Sequence, residues 1–241
     1  MKPVSGSNKQ TIVLVHGAFA DGSCWSKVIP VLEEGGYHVI AVQNPLTSFA
    51  DDVATTRRVI DAQSGPVIVV GHSYGGAVIT SAAADAPNVK ALVYVAAFAP
   101  DDGESIGPLL EKYPSKLGAA VVPDAAGFLY IDRAKFKEAF AADVPDLERS
   151  VMAATQKPIN GVIFGQVFGT PAWRSLPSWF LVACQDQATN PDLERMFAKR
   201  MRATTVEVDT SHVPFMSRPA DVVAIIEEAA EATQPATVGQ R

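Results

Sequence analysis

Apolar residues in this chain gather in short continuous runs rather than in strict alternation. The runs are Thr11–Val15, His38–Val42, Pro66–Val70, Ala91–Val95, Trp179–Ala183 and Thr205–Val208. Runs of this length suit strands buried on both faces, as in a parallel sheet. The stretches between most of them are long enough for crossover helices. The pattern therefore predicts an α/β chain, doubly wound, with a mostly parallel sheet of about six strands. One interval breaks the rhythm. Residues 101–178 hold no strong strand, whereas Arg133–Ala142 and Pro145–Thr155 read as helices. The expected organisation is a core made of residues 1–100 and 179–241, with residues 101–178 inserted as a helical cap over one edge of the sheet. The tail Ala232–Arg241 carries Gln, Thr, Pro and Gly and is expected to fray.

Composition narrows the partners. Of 241 residues, 48% are hydrophobic and 19% charged, enough apolar material for a core and too much for a disordered chain. Lys and Arg number 20 against 26 Asp and Glu, a net charge of −6, so no basic surplus is available to neutralise a nucleic-acid backbone. Two cysteines, Cys24 and Cys184, cannot build a disulfide framework and read as free thiols in a reducing compartment. Met1–Gln10 is polar and lacks the apolar stretch of a signal peptide. The apolar runs fall well short of the ~20 residues of a membrane span. The expectation is a cytoplasmic protein with neither nucleic acid nor membrane as partner. Oligomeric state is open, a homodimer included.

The chemistry concentrates at Gly71-His72-Ser73-Tyr74-Gly75-Gly76, which matches G-x-S-x-G. The motif follows an apolar run and opens an Ala-rich stretch, Ala77–Ala86, that stops at Pro87. Strand, tight turn and helix in that order are the context in which this motif presents a nucleophile. Small residues two positions to either side allow the turn, and the turn lifts the Ser73 hydroxyl to the carboxyl edge of the sheet. A phosphate-binding loop is excluded because no Gly-Lys-Ser/Thr follows.

A serine hydroxyl needs a base to take its proton. Of the four histidines, His38 opens a strand, His16 shapes the loop after the first strand, and His72 points away from its neighbour Ser73. His212 lies just beyond the last strand, where a loop can carry it over the nucleophile. The imidazole in turn needs an acid to fix its tautomer. Asp186 follows the fifth strand and yields the chain order Ser73, Asp186, His212, which suits this architecture. Asp101, Asp102 and Asp209 are the competing carboxylates. Negative charge on a tetrahedral intermediate needs backbone donors. Tyr74, directly after the nucleophile, supplies one N–H, and Ala18 in His16-Gly17-Ala18-Phe19 is the candidate for the second.

Taken together, these residues resemble the α/β-hydrolase superfamily. The resemblance runs from Val13-Leu14-Val15-His16-Gly17-Ala18, with Trp25 downstream, through the elbow to Asp186 and His212. Within it, His16-Gly17-Ala18-Phe19 and Gly71–Gly76 look like the small esterase and hydroxynitrile-lyase branch. That resemblance implies a serine hydrolase with no cofactor and no metal, carrying a helical cap. Plant hydroxynitrile lyases have a hydroxyl residue where Gly17 stands and a lysine directly after the base histidine. Here Val213 occupies the latter position, so no cation waits for cyanide. The implied reaction is hydrolysis of small to medium uncharged carboxylic esters through an acyl-enzyme. Hydroxynitrile lyase, lactonase, perhydrolase and non-catalytic ligand binding are the alternatives. Phe19 and Trp25, near the proposed oxyanion loop, are the candidate pocket residues.

Overall fold

The computed structural model describes residues 9–234. The first half alternates β1 (Thr11–Val15), α1 (Ile29–Glu34), β2 (His38–Val42), α2 (Phe49–Asp61), β3 (Val67–His72), α3 (Tyr74–Ala82) and β4 (Val89–Val95). Next come α4 (Ile106–Lys112), α5 (Leu117–Ala120), β5 (Val121–Pro123), β6 (Phe128–Ile131), α6 (Phe136–Ala139), α7 (Asp146–Thr155) and β7 (Ile159–Asn160). The chain closes with β8 (Ser178–Ala183), α8 (Pro191–Met201), β9 (Thr204–Val208), α9 (Pro214–Ser217) and α10 (Pro219–Ala232). Of the tail expected to fray, Ala232–Gln234 ends this ordered region, and the rest lies outside the described residues.

Six strands form one sheet in the order β2-β1-β3-β4-β8-β9, and every pairing is parallel. Aliphatic runs produce this because the inner strands meet helices instead of water: β3 and β8 are buried along their whole length, β1 and β4 at all but one position each. The edges depart from the expectation of two buried faces. Thr204, Thr205 and Glu207 of β9 are exposed, a polar rim that discourages pairing with another chain. α3 packs on β1, β3 and β4, and α10 on β3, β4 and β8. From β1 the chain moves outward to β2 and then returns to β3 on the other side. The carboxyl ends of β1 and β3 therefore flank the point where the winding reverses, the crevice in which open α/β sheets hold ligands.

Residues 101–178 differ from the purely helical expectation. Helices are present, but β5, β6 and β7 form a small antiparallel sheet beside them. The hairpin is built around Asp124, whose side chain accepts the amides of Ala126 and Phe128 and whose own amide bonds the Phe128 carbonyl. Gly127 takes the left-handed backbone that closes it. The strands are two to four residues long and only partly buried, too short for their apolar content to stand out. Of the helix expected at Arg133–Ala142 only Phe136–Ala139 forms, its entry delayed by a turn in which the Asp132 side chain accepts the Ala134 amide.

Several bonds strap this segment to the sheet. The Asn160 amide donates to the Leu46 carbonyl, Lys157 donates to the Asn44 carbonyl, and Lys27 pairs with Glu148 at 2.6 Å. Cys24 and Cys184 are both free thiols. Among the described residues no helix is long and apolar enough to cross a membrane.

His16 ties the ends of β1 and β2 together. Its Nδ1–H donates to the Gly17 carbonyl at 2.9 Å, and its Nε2 accepts the Asn44 amide at 3.1 Å. Burial pulls its pKa down from 6.5 to about 4, so the folded imidazole stays neutral. A histidine shifted downward supports the fold fully above its unfolded value, and that support drains away as pH falls from 6.5 toward 4. Between about pH 7 and pH 5 the loss from His16 amounts to about 2 kcal/mol. Urea midpoints at both pH values should therefore fall less for His16→Gln than for the unmodified chain. Equal falls would show that His16 does not titrate with folding.

Candidate active site

β3 ends at His72, and the chain turns through Ser73 into α3. Ser73 has φ 51° and ψ −125°, a conformation that costs a non-glycine residue ~1–3 kcal/mol. Its neighbours hold it there. The Ser73 amide donates to the Val95 carbonyl at 3.2 Å, and its carbonyl accepts the amides of Gly76 and Phe98 at 2.9 and 3.0 Å. The turn fits because the glycines in and around it lack a β-carbon. One placed on Gly75 would lie 2.5 Å from the Val15 carbonyl oxygen, and one on Gly17 would lie 2.7 Å from the Ser73 β-carbon. The loop after β1 and the turn after β3 are thus in backbone contact.

Over this turn stands His212. Its Nε2 lies 2.9 Å from the Ser73 Oγ, and its Nδ1 lies 2.5 Å from the Asp186 Oδ2. All three side chains are almost fully buried. Asp186 Oδ1 accepts the amides of Ala188 and Thr189 at 2.6 and 2.9 Å, which fixes the carboxylate at the start of the loop after β8. With Asp186 accepting at Nδ1, the proton of a neutral His212 sits on that nitrogen and Nε2 is free to accept from Ser73. The competing carboxylates lie elsewhere. Asp101 pairs with Arg174, and Asp102 and Asp209 are exposed.

Two supports of His212 escaped sequence reasoning. His72, expected to point away from Ser73, packs on Trp25 and Phe215, and its Nε2–H donates to the His212 carbonyl at 2.8 Å. Burial, and then the His212 charge, press its pKa well below the usual histidine value, so it is a neutral donor. Asp143, between α6 and α7, accepts the Thr210 hydroxyl and the Ser211 amide at 2.9 Å each, together with the Ser211 hydroxyl. It binds residues 101–178 to the loop that carries His212. His72 sits inside the motif and was visible there; nothing in the sequence around Asp143 marks it.

A small cavity of about 20 Å³ lies directly over Ser73. Ala18, Phe19 and Tyr74 line it, together with Phe140, Phe164 and His212. Among the described residues neither the Ala18 nor the Tyr74 amide donates to a protein acceptor. Trp25 is corrected: it lies in the core, fully buried against Phe215 with ring centroids 4.9 Å apart, and does not line this cavity. Its large apolar ring finds more contact beneath the loop than in the pocket. Larger cavities of about 440 and 350 Å³ adjoin on either hand. Phe19 and Phe140 wall off the first, and Phe19, Leu110, Leu117 and Phe164 wall off the second. Phe19 is common to all three and holds a left-handed backbone with φ 61°.

Comparison with known proteins gives a consistent relationship. The profile of the alpha/beta hydrolase family matches residues 12–225. Methylesterase 2 of Arabidopsis thaliana is 28% identical over 246 residues, covering 88% of this chain and 92% of its own. A pyrethroid hydrolase from Sphingobium faniae JZ-2 superposes with a TM-score of 0.81 at 23% identity, covering 92% of this chain and 98% of that one. Polyneuridine aldehyde esterase superposes with a TM-score of 0.78 at 19% identity, covering 91% and 98%. At these identities the superpositions speak for the fold.

Proposed function

The chain belongs to the alpha/beta hydrolase family, and from that premise we propose that it is a serine esterase in which Ser73 is the nucleophile, His212 the base and Asp186 the orienting acid. The observation that carries the reading is the unbroken chain Asp186–His212–Ser73, with contacts of 2.5 and 2.9 Å. In the proposed reaction Ser73 Oγ attacks the ester carbonyl while His212 Nε2 takes its proton. The amides of Ala18 and Tyr74 hold the developing oxyanion. The imidazolium, steadied by Asp186, returns the proton to the departing alkoxide. Water repeats the sequence on the acyl-enzyme and releases the acid.

The relatives support ester cleavage: one is a methylesterase, and one solved structure is an esterase. The lining supports an uncharged substrate. No Lys, Arg, Asp or Glu borders the cavities of about 20 and 350 Å³, so an anionic or cationic group would go unpaired there. A cavity of 20 Å³ holds about one water molecule, so substrate enters by displacing the rings around it. The adjoining chambers, one apolar and the other mostly apolar but bordered by Asp21 and the paired Lys27 and Glu148, favour a small or medium ester with its acyl part in one and its alcohol part in the other, Phe19 standing between them. Cyanohydrin cleavage finds no support, since Val213 is a buried aliphatic residue and no cation lines the cavity over Ser73.

With p-nitrophenyl butyrate as substrate, Ser73→Ala and His212→Ala should each lose at least ~10³-fold in kcat while still folding. A fluorophosphonate should label Ser73 alone. Near-normal turnover in either variant, or a label on another residue, overturns the assignment. Asp186→Asn should lose a comparable factor by inverting the imidazole tautomer. Phe19→Ala removes the shared wall, so kcat/KM for long-chain or aryl esters should rise at least ~10-fold relative to the acetate. An unchanged chain-length profile would remove Phe19 from the pocket.

A further inference from the structure

Glu194 lies in the first turn of α8 and has no exposure to solvent. A first-turn glutamate ordinarily faces water and complements the positive end of its helix, as the exposed Asp192 of the same turn does. Glu194 is instead turned toward the active-site acid. Its Oε2 accepts the amide of Ala183, the last residue of β8, at 2.9 Å. Its Oε1 is buried and meets no N–H or hydroxyl donor. Asp186 is anchored on the same residue, its amide donating to the Ala183 carbonyl at 3.1 Å, so both buried carboxyl groups hang from the end of β8 and the Asp186 charge bears on Glu194. Nothing in the proposed reaction uses it.

Two neighbouring buried carboxyl groups, with no Lys or Arg bonded to either among the described residues, share a proton. The surrounding donors decide which one carries it. Asp186 accepts from His212 Nδ1 and from the amides of Ala188 and Thr189, three contacts that demand an acceptor. Glu194 accepts from one amide only, and its other oxygen has no donor. We propose that Glu194 is held as the neutral acid and that its Oε1–H donates to the Asp186 carboxylate. It is then a positioning residue: it completes the donors around Asp186 and limits how tightly that carboxylate holds the His212 proton. The inference rests on the reading of Ser73, His212 and Asp186 as a catalytic unit. Burial raises the Glu194 carboxyl well above the usual carboxylate range, and the charge of Asp186 pushes the same way. The Cys184 thiol also bears on it, and that thiol faces Glu207 and Arg195 at the surface.

The test compares pH profiles of kcat/KM for p-nitrophenyl butyrate in the unmodified enzyme, Glu194→Gln and Glu194→Leu. A glutamine places its carbonyl on the Ala183 amide and its N–H on Asp186, so activity should stay within ~3-fold and the acid limb should not move. Leucine removes the donor, leaves more charge on Asp186 and should shift the acid limb upward by at least ~0.5 pH unit, with kcat reduced ~10-fold. If Glu194 is charged in the native enzyme, Glu194→Gln removes a negative charge near the imidazole and the acid limb moves down by ~1 unit; that result overturns the proposal. So does a Glu194→Leu enzyme with the native acid limb. Should leucine prevent folding, difference infrared spectra of the unmodified enzyme minus Glu194→Gln at about pH 8 decide the matter. A protonated-carboxyl carbonyl band supports the neutral acid, and its absence refutes it. Failure of the serine mechanism would register separately, as undiminished turnover in Ser73→Ala, and the infrared comparison would still report the proton.

Discussion

Ser73 reaches its position because three backbone segments approach more closely than any β-carbon between them would allow. The turn after β3 lies against the end of β1 and the loop after it at Gly75 and Gly17, and against the segment after β4 at Gly76. The strained backbone of Ser73 is held from outside, by Val95 at the end of β4 and by Phe98 just beyond it. A turn fixed in this way holds its hydroxyl in one place, and Ala18 and Tyr74 border the same small space. If the glycines gave way, the serine, the proposed oxyanion donors and the crevice between β1 and β3 would all shift together. The parallel sheet matters chiefly because it brings these loops to one edge.

The second constraint is the exclusion of water. His212 is covered by Phe140 on one side and His72 on another, with ring centroids 4.9 and 4.7 Å away. Phe140 comes from residues 101–178, so the roof over the imidazole belongs to the segment inserted between β4 and β8. Asp143, three residues further on, ties that roof to Thr210 and Ser211. Motion of the segment is therefore coupled to the loop that carries the base. Low dielectric strengthens the bond from His212 to Asp186, and it also penalises every unpaired charge nearby. The neutral states of His16 and His72, and the proposed neutral Glu194, follow from the same penalty.

Substrate selection, on the proposed reading, is a matter of aromatic walls. Phe19 stands between the cavity over the nucleophile and two larger, mostly apolar chambers, and it does so from a loop residue with a left-handed backbone. A residue placed in this way acts on both halves of an ester at once. The loop after β1 then has two duties, a backbone donor at Ala18 and a partition at Phe19, one residue apart.

Much of this was legible in the chain because it depends on local pattern. Six aliphatic runs predict six strands, since a strand buried on both faces must be apolar throughout. The Gly71–Gly76 turn was readable for a similar reason: backbone contact demands glycine whatever lies across the gap. The order Ser73, Asp186, His212 followed from where loops leave the sheet. What depended on folding was the facing of surfaces distant in the chain. Phe19 and Trp25 are both aromatic and six positions apart, yet one walls the cavity and the other fills the core beneath it. Short half-buried strands such as Val121–Pro123 carry too little apolar signal to be seen before they pair. Asp143 and Glu194 look like ordinary surface acids until the fold sets one against Thr210 and Ser211 and the other against Asp186. A carboxylate's role is set by its donors and its burial, and both come from residues it meets only once the chain has closed.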